Sequence, residues 1–432
     1  MFGKTYADTP VVWLDAGDFT GDPTVAGEKQ TDALVDGMNQ IGYLAAAFGP
    51  REMNHGWEKF QARQKRLKFP LVSANIVWQD TAAPVVQPYV VVKAPLRPGS
   101  KNKEVRLGVL GLTAMNPAFL KTGPNDRRMV TIDPVAAAQK YAAELRAKCD
   151  VAIVLSGMDL DGARNLARKV KEFDLILGTS NAMQTRPDDF PEDSLFGRTR
   201  LQYIGDQGKN LGEVRLQFGD KRALALVTRN VIGLTREWPD DPVLAKLMED
   251  TKVAINDMHR AQADADNPFA AAPAPAPGAA GGAVAVVPGS AQTPTVVSRG
   301  GGAAWAYTGS ERCQPCHEKE YAVWSKSKHA HAFDILEKVH QDFNPTCVGC
   351  HSIGNGRTTG FVNAKATPGL KHVGCEACHG PSSRHPDQVG AGYGVVATGD
   401  CVTCHTRDNS PDYDPDIYIP QVQHWGEARA EH

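Results

Sequence analysis

Eight of the nine cysteines in this 432-residue chain fall in four short clusters near its C-terminus. Each cluster has the pattern Cys-x-x-Cys-His, which places two thiols three residues apart and an imidazole directly after the second thiol. The patterns are Cys313, Cys316 and His317; Cys347, Cys350 and His351; Cys375, Cys378 and His379; and Cys401, Cys404 and His405. Because chance placement of 9 Cys and 13 His predicts far fewer than one such pattern, these clusters indicate a specific chemistry.

The spacing suits covalent attachment of haem. Two thiols three residues apart lie on one face of a helical turn, where they can form thioethers with the two haem vinyl groups. The adjacent histidine then reaches the iron as its proximal ligand. Structural zinc is the main alternative, but zinc does not require a histidine after every second cysteine, and three-residue loops are poor disulfide staples. The sequence therefore predicts four molecules of haem c.

Further histidines are concentrated in the same region. They are His329, His331, His340, His372, His385, His424 and His432. Such an excess is what haems with two histidine ligands would require, although any one of these side chains can instead be a solvated surface residue.

The chain before this region has a different organisation. Up to about residue 240, short apolar runs alternate with helical patterns, which indicates an α/β layered domain with a largely parallel sheet. The predicted strands are residues 11–14, 42–46, 71–75, 107–110, 151–155 and 175–177, with closing strands in 210–233. Helices are predicted at residues 133–148 and 240–260.

Alanine, proline and glycine dominate the chain between about residues 268 and 302. This composition cannot bury a core and predicts a disordered linker. We therefore divide the chain into an α/β domain over residues 1–262, a linker over 263–302 and a mainly α, strand-poor multihaem domain over 303–432.

The C-terminal region resembles a known family in two segments. Residues 324–332 are similar to a Trp-x-x-Ser-x-His-Ala-x-Ala motif, and residues 375–381 read Cys-Glu-Ala-Cys-His-Gly-Pro. Both are typical of the tetrahaem cytochromes c of ammonia-oxidising bacteria. The resemblance implies closely stacked haems, mostly with two histidine ligands and one sometimes five-coordinate. It makes His329 and His385 the leading distal ligands and His372 and His424 further candidates.

The first 240 residues resemble the catalytic domain of 5′-nucleotidases, a branch of the dimetal phosphoesterases. The resemblance is carried by Leu-Asp-Ala-Gly-Asp at residues 14–18 and by the strand segments at 69–75 and 108–113. A dimetal centre needs Asp, Asn and His side chains that converge at strand ends. Asp18 matches the family's bridging carboxylate.

Most of the other ligand positions have changed. The family's Gly-Asn-His-Glu falls on Gly-Pro-Arg-Glu at residues 49–52, so Pro50 and Arg51 replace the Asn ligand and the catalytic His. The family's histidine at a strand end is replaced by Gly157. Its final Gly-His-x-His corresponds to Gly-Thr-Ser-Asn at residues 178–181, which contains no histidine. One remaining carboxylate cannot hold two divalent ions. The resemblance therefore implies the fold of a phosphoesterase without its activity.

The beginning of the chain also departs from the family. The family's first strand, with an Asp-x-His ligand pair, needs more residues than the ten that precede Val11. Met1 is not followed by the apolar core of a signal peptide, whereas haem attachment takes place after export. We hypothesise that the chain starts at an internal Met and lacks its export signal, and we expect a periplasmic or extracellular protein.

Charge and hydropathy exclude other classes of function. Lys+Arg 47 against Asp+Glu 49 gives a net charge of −2, which does not favour nucleic acid, and no apolar run approaches the roughly 18 residues of a membrane span. We predict electron transfer between redox donor and acceptor proteins, with the phosphoesterase-like domain as a docking or binding module. The alternatives are an active nucleotidase with an appended cytochrome, and a multihaem oxidoreductase that acts on a small nitrogen or sulfur compound.

Overall fold

The computed structural model describes residues 9–97, 103–116, 118–180, 195–205, 208–219, 222–235, 237–265, 305–385, 398–406 and 409–424. Contacts divide the chain into two units, Met1–Thr251 and Lys252–His432. The predicted linker, residues 263–302, lies almost entirely outside the described residues. The domain boundaries at residues 262 and 302 therefore stay predictions.

The first unit contains the strands and helices that the sequence predicts, together with further elements that it does not predict. Its strands are β1 Trp13–Asp15, β2 Tyr43–Ala47, β3 Leu71–Val72, β4 Ile76–Trp78, β5 Tyr89–Pro95, β6 Glu104–Thr113, β7 Lys121–Thr122, β8 Arg128–Thr131, β9 Val151–Gly157, β10 Leu175–Ser180, β11 Leu195–Phe196, β12 Thr199–Gly205, β13 Asn210–Phe218 and β14 Leu224–Gly233. Its helices are α1 Val25–Ile41, α2 Trp57–Arg66, α3 Pro134–Lys148, α4 Leu160–Lys169 and α5 Pro242–Ala265, of which α5 crosses the division after Thr251.

A six-stranded sheet in the order β11-β12-β10-β9-β6-β5 forms the central layer of this unit. Its four middle strands run parallel, whereas β5 and β11 are antiparallel to their neighbours. A second, parallel sheet has the order β1-β2-β3, and β13 and β14 form an antiparallel hairpin. The predicted largely parallel sheet is confirmed in the middle of the layer, and antiparallel strands are added at both edges.

Side chains of the central strands pack alternately on the two faces of the sheet. Leu110 and Val154 pack with residues of α3 and α4 in one core. Val109 and Ile153 pack with residues of β2, β3 and the β13–β14 hairpin in another. Because both faces are covered, these strands read as nearly continuous apolar runs. The predicted α/β layered class is confirmed.

Polar caps fix where the helices of this unit begin. Asp133 accepts a hydrogen bond from the Val135 N–H at 2.9 Å, and Pro134 supplies the first helical residue of α3. Asp159 accepts from the Gly162 N–H at 2.7 Å and caps α4 directly after β9. Asp133 and Asp159, which follow β8 and β9, are thus used to start helices.

The second unit is mainly helical. Its helices are α6 Glu318–Trp324, α7 Ala332–Lys338, α8 Pro345–His351, α9 Cys375–His379 and α10 Pro415–Tyr418. Its described residues contain one isolated β-bridge, between Ser352 and Lys371, and no named strand. The predicted strand-poor, mainly α class is confirmed. Within the described parts of the chain, no helix is both long and apolar enough to cross a membrane.

Candidate functional site

Each Cys-x-x-Cys-His pattern forms a helical turn. The His317 N–H donates to the Cys313 carbonyl at 2.9 Å, and the His405 N–H donates to the Cys401 carbonyl at 2.9 Å. The second and third motifs lie in α8 and α9. The turn that the spacing predicts is therefore present in all four motifs.

Thiols of different motifs lie beside one another in two places. The contact with Cys313 is the main reason why the pKa of Cys375 is lowered to about 6, and it raises the pKa of Cys313. Burial and the neighbouring Cys404 thiol raise the pKa of Cys350 to about 11. The first motif is thus adjacent to the third, and the second motif is adjacent to the fourth.

Three of the motif histidines face a second imidazole. The pairs and their centroid separations are His317–His385 at 6.1 Å, His379–His424 at 5.9 Å and His405–His329 at 6.1 Å. The structure therefore brings His329, His385 and His424, three of the four histidines proposed from the sequence as distal ligands, opposite a motif histidine.

These separations fit an iron ion between the rings. A metal–imidazole bond is about 2 Å long and the ring centre lies about 1 Å beyond the nitrogen, so two rings that ligate one iron from opposite sides have centroids about 6 Å apart. Burial lowers the pKa of both His329 and His405, which favours the neutral, metal-binding form of imidazole. The residues present fit a c-type haem with two histidine ligands at three of the motifs.

His351 of the second motif has a different environment. Its Nδ1 lies 2.5 Å from the carbonyl oxygen of Ala332. Because a carbonyl oxygen only accepts hydrogen bonds, Nδ1 carries the proton and Nε2 is left to ligate iron. No second imidazole faces His351 among the residues that the structure describes.

The distal candidate His329 is held by side chains of the motif that predicted it. The Trp324 indole N–H donates to the Val373 carbonyl at 2.9 Å, and the Val373 N–H donates to the His329 carbonyl at 3.1 Å. The Ser327 hydroxyl closes the turn by donating to the Trp324 carbonyl at 2.7 Å. These bonds give a physical reason for the Trp-x-x-Ser-x-His spacing.

His372, the remaining distal candidate, lies elsewhere. Its Nδ1 accepts a hydrogen bond from the Phe333 N–H at 3.2 Å, and its ring is 6.4 Å from that of His331. Asp334 lies beside both rings, 3.4 Å from His331 and 3.9 Å from His372. Neither partner ring belongs to a haem motif, so within the described residues the structure does not place the His372 ring opposite a motif histidine.

The sequence interpretation gave no role to Glu376, which lies between the two cysteines of the third motif. Its side chain is 2% exposed and accepts hydrogen bonds from three backbone N–H groups, those of Thr308, Gly309 and Ser382. A charged residue inside a half-buried cysteine turn must be hydrogen-bonded to be tolerated. A glutamate between the two cysteines of a motif therefore indicates, from the sequence alone, a carboxylate with hydrogen-bond partners.

In the first unit, side chains at the former ligand positions make structural contacts. Asp18 has a positive φ of 58° and accepts a hydrogen bond from the Arg51 N–H at 2.8 Å. The Arg51 guanidinium binds the Thr20 carbonyl at 3.0 Å and the Asp22 carboxylate at 3.1 Å. Arg51, in place of the family's histidine, thus holds the loop that follows β1.

Glu52 is buried beside Asp18. One of its carboxyl oxygens accepts hydrogen bonds from the Gly49 N–H at 2.7 Å and the Asp18 N–H at 3.2 Å. Burial, reinforced by the charge of Asp18, raises the pKa of Glu52 to about 8. This shift favours the protonated form of Glu52 at neutral pH.

Tyr203 fills space at the ends of β9 and β10. Its ring lies so close to Gly178 that a Cβ atom there would be 2.6 Å from it, and its hydroxyl donates to Ser156 at 2.9 Å. Among the described residues, no group of three or more His, Cys, Asp or Glu side chains is arranged to hold a metal ion. The described residues do not fit a dimetal centre, and the role of Asp18 as a residual metal ligand stays a prediction.

Residues 312–380 match the cytochrome c554 and c-prime family. The C-terminal region is 32% identical over 90 residues to cytochrome c-554 of Nitrosomonas europaea, a match that covers 17% of this chain and 38% of that protein. The resemblance to these cytochromes is confirmed. The match implies covalently bound haem c in this region.

The N-terminal region matches nucleotidases. It is 30% identical over 135 residues to the 2′,3′-cyclic-nucleotide 2′-phosphodiesterase/3′-nucleotidase of Yersinia enterocolitica, covering 30% of this chain and 21% of that protein. The crystal structure of a 5′-nucleotidase precursor from Thermus thermophilus has a TM-score of 0.45 and 23% identity, over 59% of this chain and 51% of that chain. The chain spans 38% or less of the length of these two curated relatives.

Proposed function

We propose that this protein transfers electrons between redox partner proteins through four c-type haems held by its second unit. The observation that carries the proposal is the set of three imidazole pairs, 5.9 to 6.1 Å apart, each of which contains the histidine of a cysteine motif. Bound haem c supplies an iron that gains or loses one electron. Two imidazoles would fill both axial positions, which favours electron transfer over substrate binding.

Backbone and thiol contacts arrange the four sites in one series. The Cys313–Cys375 contact joins the first site to the third, and the Cys350–Cys404 contact joins the second to the fourth. The Val373 N–H, just before the third motif, donates to the carbonyl of His329, which faces His405 of the fourth motif. This bond joins the two pairs of sites. The resulting series, first, third, fourth and second, supports transfer through the whole unit.

Production of the full chain together with a haem-attachment system tests this function. We expect intact mass and a pyridine haemochrome assay to give four haems per chain, and three in the Cys401→Ser/Cys404→Ser variant. The reduced protein should be fully reoxidised by a soluble monohaem cytochrome c in stopped-flow measurements. Stoichiometric zinc without haem absorption would contradict the proposal.

We further propose that the first unit is a docking or binding module and not a hydrolase. The proposal is supported by Arg51, which makes structural contacts at a former ligand position, and by Tyr203, which fills the space beside Gly178. Phosphate release from nucleotides and cyclic nucleotides with added Mn²⁺ or Zn²⁺ should be no greater than that of the Asp18→Ala variant. Metal-dependent release that is lost in Asp18→Ala would favour the alternative, an active nucleotidase with an appended cytochrome.

We also propose that the protein works in the periplasm or outside the cell, because haem c is attached after export. Fractionation of the source cells should recover its haem-stained band outside the cytoplasm. A cytoplasmic holoprotein would contradict this location.

A further inference from the structure

The Glu376 side chain belongs to the third haem motif but contacts the chain around the first. One carboxylate oxygen accepts hydrogen bonds from the backbone N–H groups of Thr308 at 2.9 Å and Gly309 at 2.7 Å. These two residues lead into the first motif, which begins at Cys313. Since Cys375 also contacts the Cys313 thiol, the third motif touches the first through two neighbouring residues.

The other carboxylate oxygen binds the turn that leads to His385. It accepts from the Ser382 N–H at 2.7 Å and from the Ser382 hydroxyl at 2.6 Å. The Ser382 carbonyl in turn accepts from the His385 N–H at 2.9 Å. A continuous chain of hydrogen bonds therefore runs from the carboxylate to the backbone of the histidine that faces His317.

Further bonds tie the same two segments together. The Ala306 N–H donates to the Ser383 hydroxyl at 2.8 Å, and the Ser383 N–H donates to the Ala306 carbonyl at 3.1 Å. The hydroxyls of Thr308 and Ser382 lie 2.7 Å apart. The carboxylate is therefore at the centre of a small network that joins the segment before the first motif to the turn after the third.

Burial makes this network depend on the carboxylate. Glu376 is 2% exposed, and every group that it contacts is a backbone N–H or a hydroxyl that can donate. An ionised carboxylate is an acceptor only and matches such a set, and its hydrogen bonds are stronger than those between neutral groups. Loss of one acceptor oxygen would leave buried N–H groups without a partner, which is strongly unfavourable.

We propose that Glu376 is a positioning residue for the first haem: it fixes the turn 382–385 so that His385 stays opposite His317. The inference rests on the proposed haem function and deepens it, since one carboxylate of the third motif then controls the axial ligation of the first haem. Glu376 also places a buried negative charge next to the first and third motifs, and this charge favours the oxidised, more positive form of the iron.

The Glu376→Gln variant of the full holoprotein tests the proposal. The amide keeps the shape of the side chain but turns one acceptor oxygen into an NH₂ donor that faces N–H groups. We expect four haems per chain, conversion of one haem from low spin to high spin in the EPR spectrum, and a higher reduction potential for that haem. The His385→Ala variant lacks the histidine that faces His317, so it identifies the EPR signal of the first haem.

Glu318→Gln is the matched control. Glu318 directly follows His317 and is exposed, so the same chemical change beside the same haem leaves the network intact. Its EPR spectrum and potentials should equal those of the unchanged protein. Ser382→Ala removes only one hydroxyl donor and should affect the same haem to a smaller extent, which decides the question if Glu376→Gln fails to fold.

The outcomes separate this inference from the haem function itself. Four haems with unchanged spin states and potentials in both Glu376→Gln and Ser382→Ala would overturn the positioning role and leave electron transfer intact. A shift of equal size in Glu318→Gln would also overturn it, because a general charge effect would then explain the result. Absence of haem from the unchanged protein would instead overturn the proposed function.

Discussion

At the scale of single residues, the position of one proton distinguishes histidines that the sequence presents as equivalent. The Nδ1 of His424 donates to the Val422 carbonyl at 2.9 Å and leaves Nε2 to bind metal. The Nδ1 of His372 instead accepts from the Phe333 N–H, so its neutral form carries the proton on Nε2. The second arrangement suits a structural histidine better than an iron ligand.

A pair of alanine variants tests this distinction. His424→Ala should convert one low-spin haem to high spin in the EPR spectrum, because His424 faces His379 at 5.9 Å. His372→Ala should leave the spin states of all haems unchanged. The reverse result would show that the chain in solution uses His372 as the ligand.

The buried carboxyl of Glu52 predicts a pH dependence of stability. Its folded-state pKa of about 8 lies above the ordinary value of 4.5, so between these values the folded chain holds a proton that the unfolded chain releases. The free energy of unfolding of the first unit should therefore fall as pH rises from about 5 towards 8. Glu52→Gln should make this slope flatter in urea unfolding measured across that range. An unchanged slope would contradict the assignment.

At the residue scale, sequence patterns predict best what is local. The cysteine pairs and the following histidines are determined by five-residue patterns, and the residues of each pattern do form one turn. Which distal histidine faces which motif depends on chain segments that are far apart in sequence, such as those of His329 and His405. No local periodicity reports that pairing. The family resemblance indicated candidate distal histidines without assigning them to motifs, and it did not separate His424 from His372.

At the scale of elements, buried charge holds the turn between α4 and β10 in place. Asp174 is 2% exposed and accepts hydrogen bonds from Arg146 at 2.5 Å, Arg198 Nε at 2.9 Å and the Ala152 N–H at 2.8 Å. It thereby joins β9 and β10 to α3 and to the turn before β12.

Asp174→Ala should destabilise the first unit by about 3 kcal/mol, because it leaves buried donors and a partly buried arginine without their partner. Urea unfolding of the full chain, followed by far-UV circular dichroism, measures the change. The exposed Asp161, which pairs with Arg164 at the surface, is the control, and Asp161→Ala should cost less than about 1 kcal/mol. Equal effects of the two variants would contradict the structural role of Asp174.

Element prediction was accurate for strands that read as continuous apolar runs and failed for strands in which polar or exposed residues interrupt the apolar ones. The strands β6, β9 and β10 read as apolar runs because helices cover one face and strands cover the other. The unpredicted strand β12 carries Arg200 and Gln202 between its apolar residues, and the unpredicted edge strand β5 is mostly half-exposed and contains Lys93. Pairing with a neighbour, rather than burial of a continuous run, makes these segments strands.

At the scale of the whole molecule, the two units differ in the size of their apolar cores. In the described residues, the first unit has three large buried clusters. The second has one cluster of six buried side chains: Phe333, Leu336, Val348, Ile353, Phe361 and Leu370. A core of that size stabilises a domain only marginally, and such domains depend on cofactors or other cross-links.

The chain made without haem attachment should therefore keep only its first unit folded. Hydrogen exchange followed by mass spectrometry should show slow exchange in β6, β9 and β10 with or without haem. Residues 305–385 should exchange slowly in the holoprotein and rapidly in the haem-free chain. Equal protection of residues 305–385 in both forms would contradict this dependence.

The contacts between thiols of different motifs also bear on the order of assembly. Once the second unit is folded, Cys313 meets Cys375 and Cys350 meets Cys404. An oxidising compartment would join such neighbours as disulfides between motifs, and each bridge would remove a thiol from two haem sites. Attachment of haem to reduced cysteines while the chain is still open avoids these bridges, because the thioether bonds then form before the second unit folds.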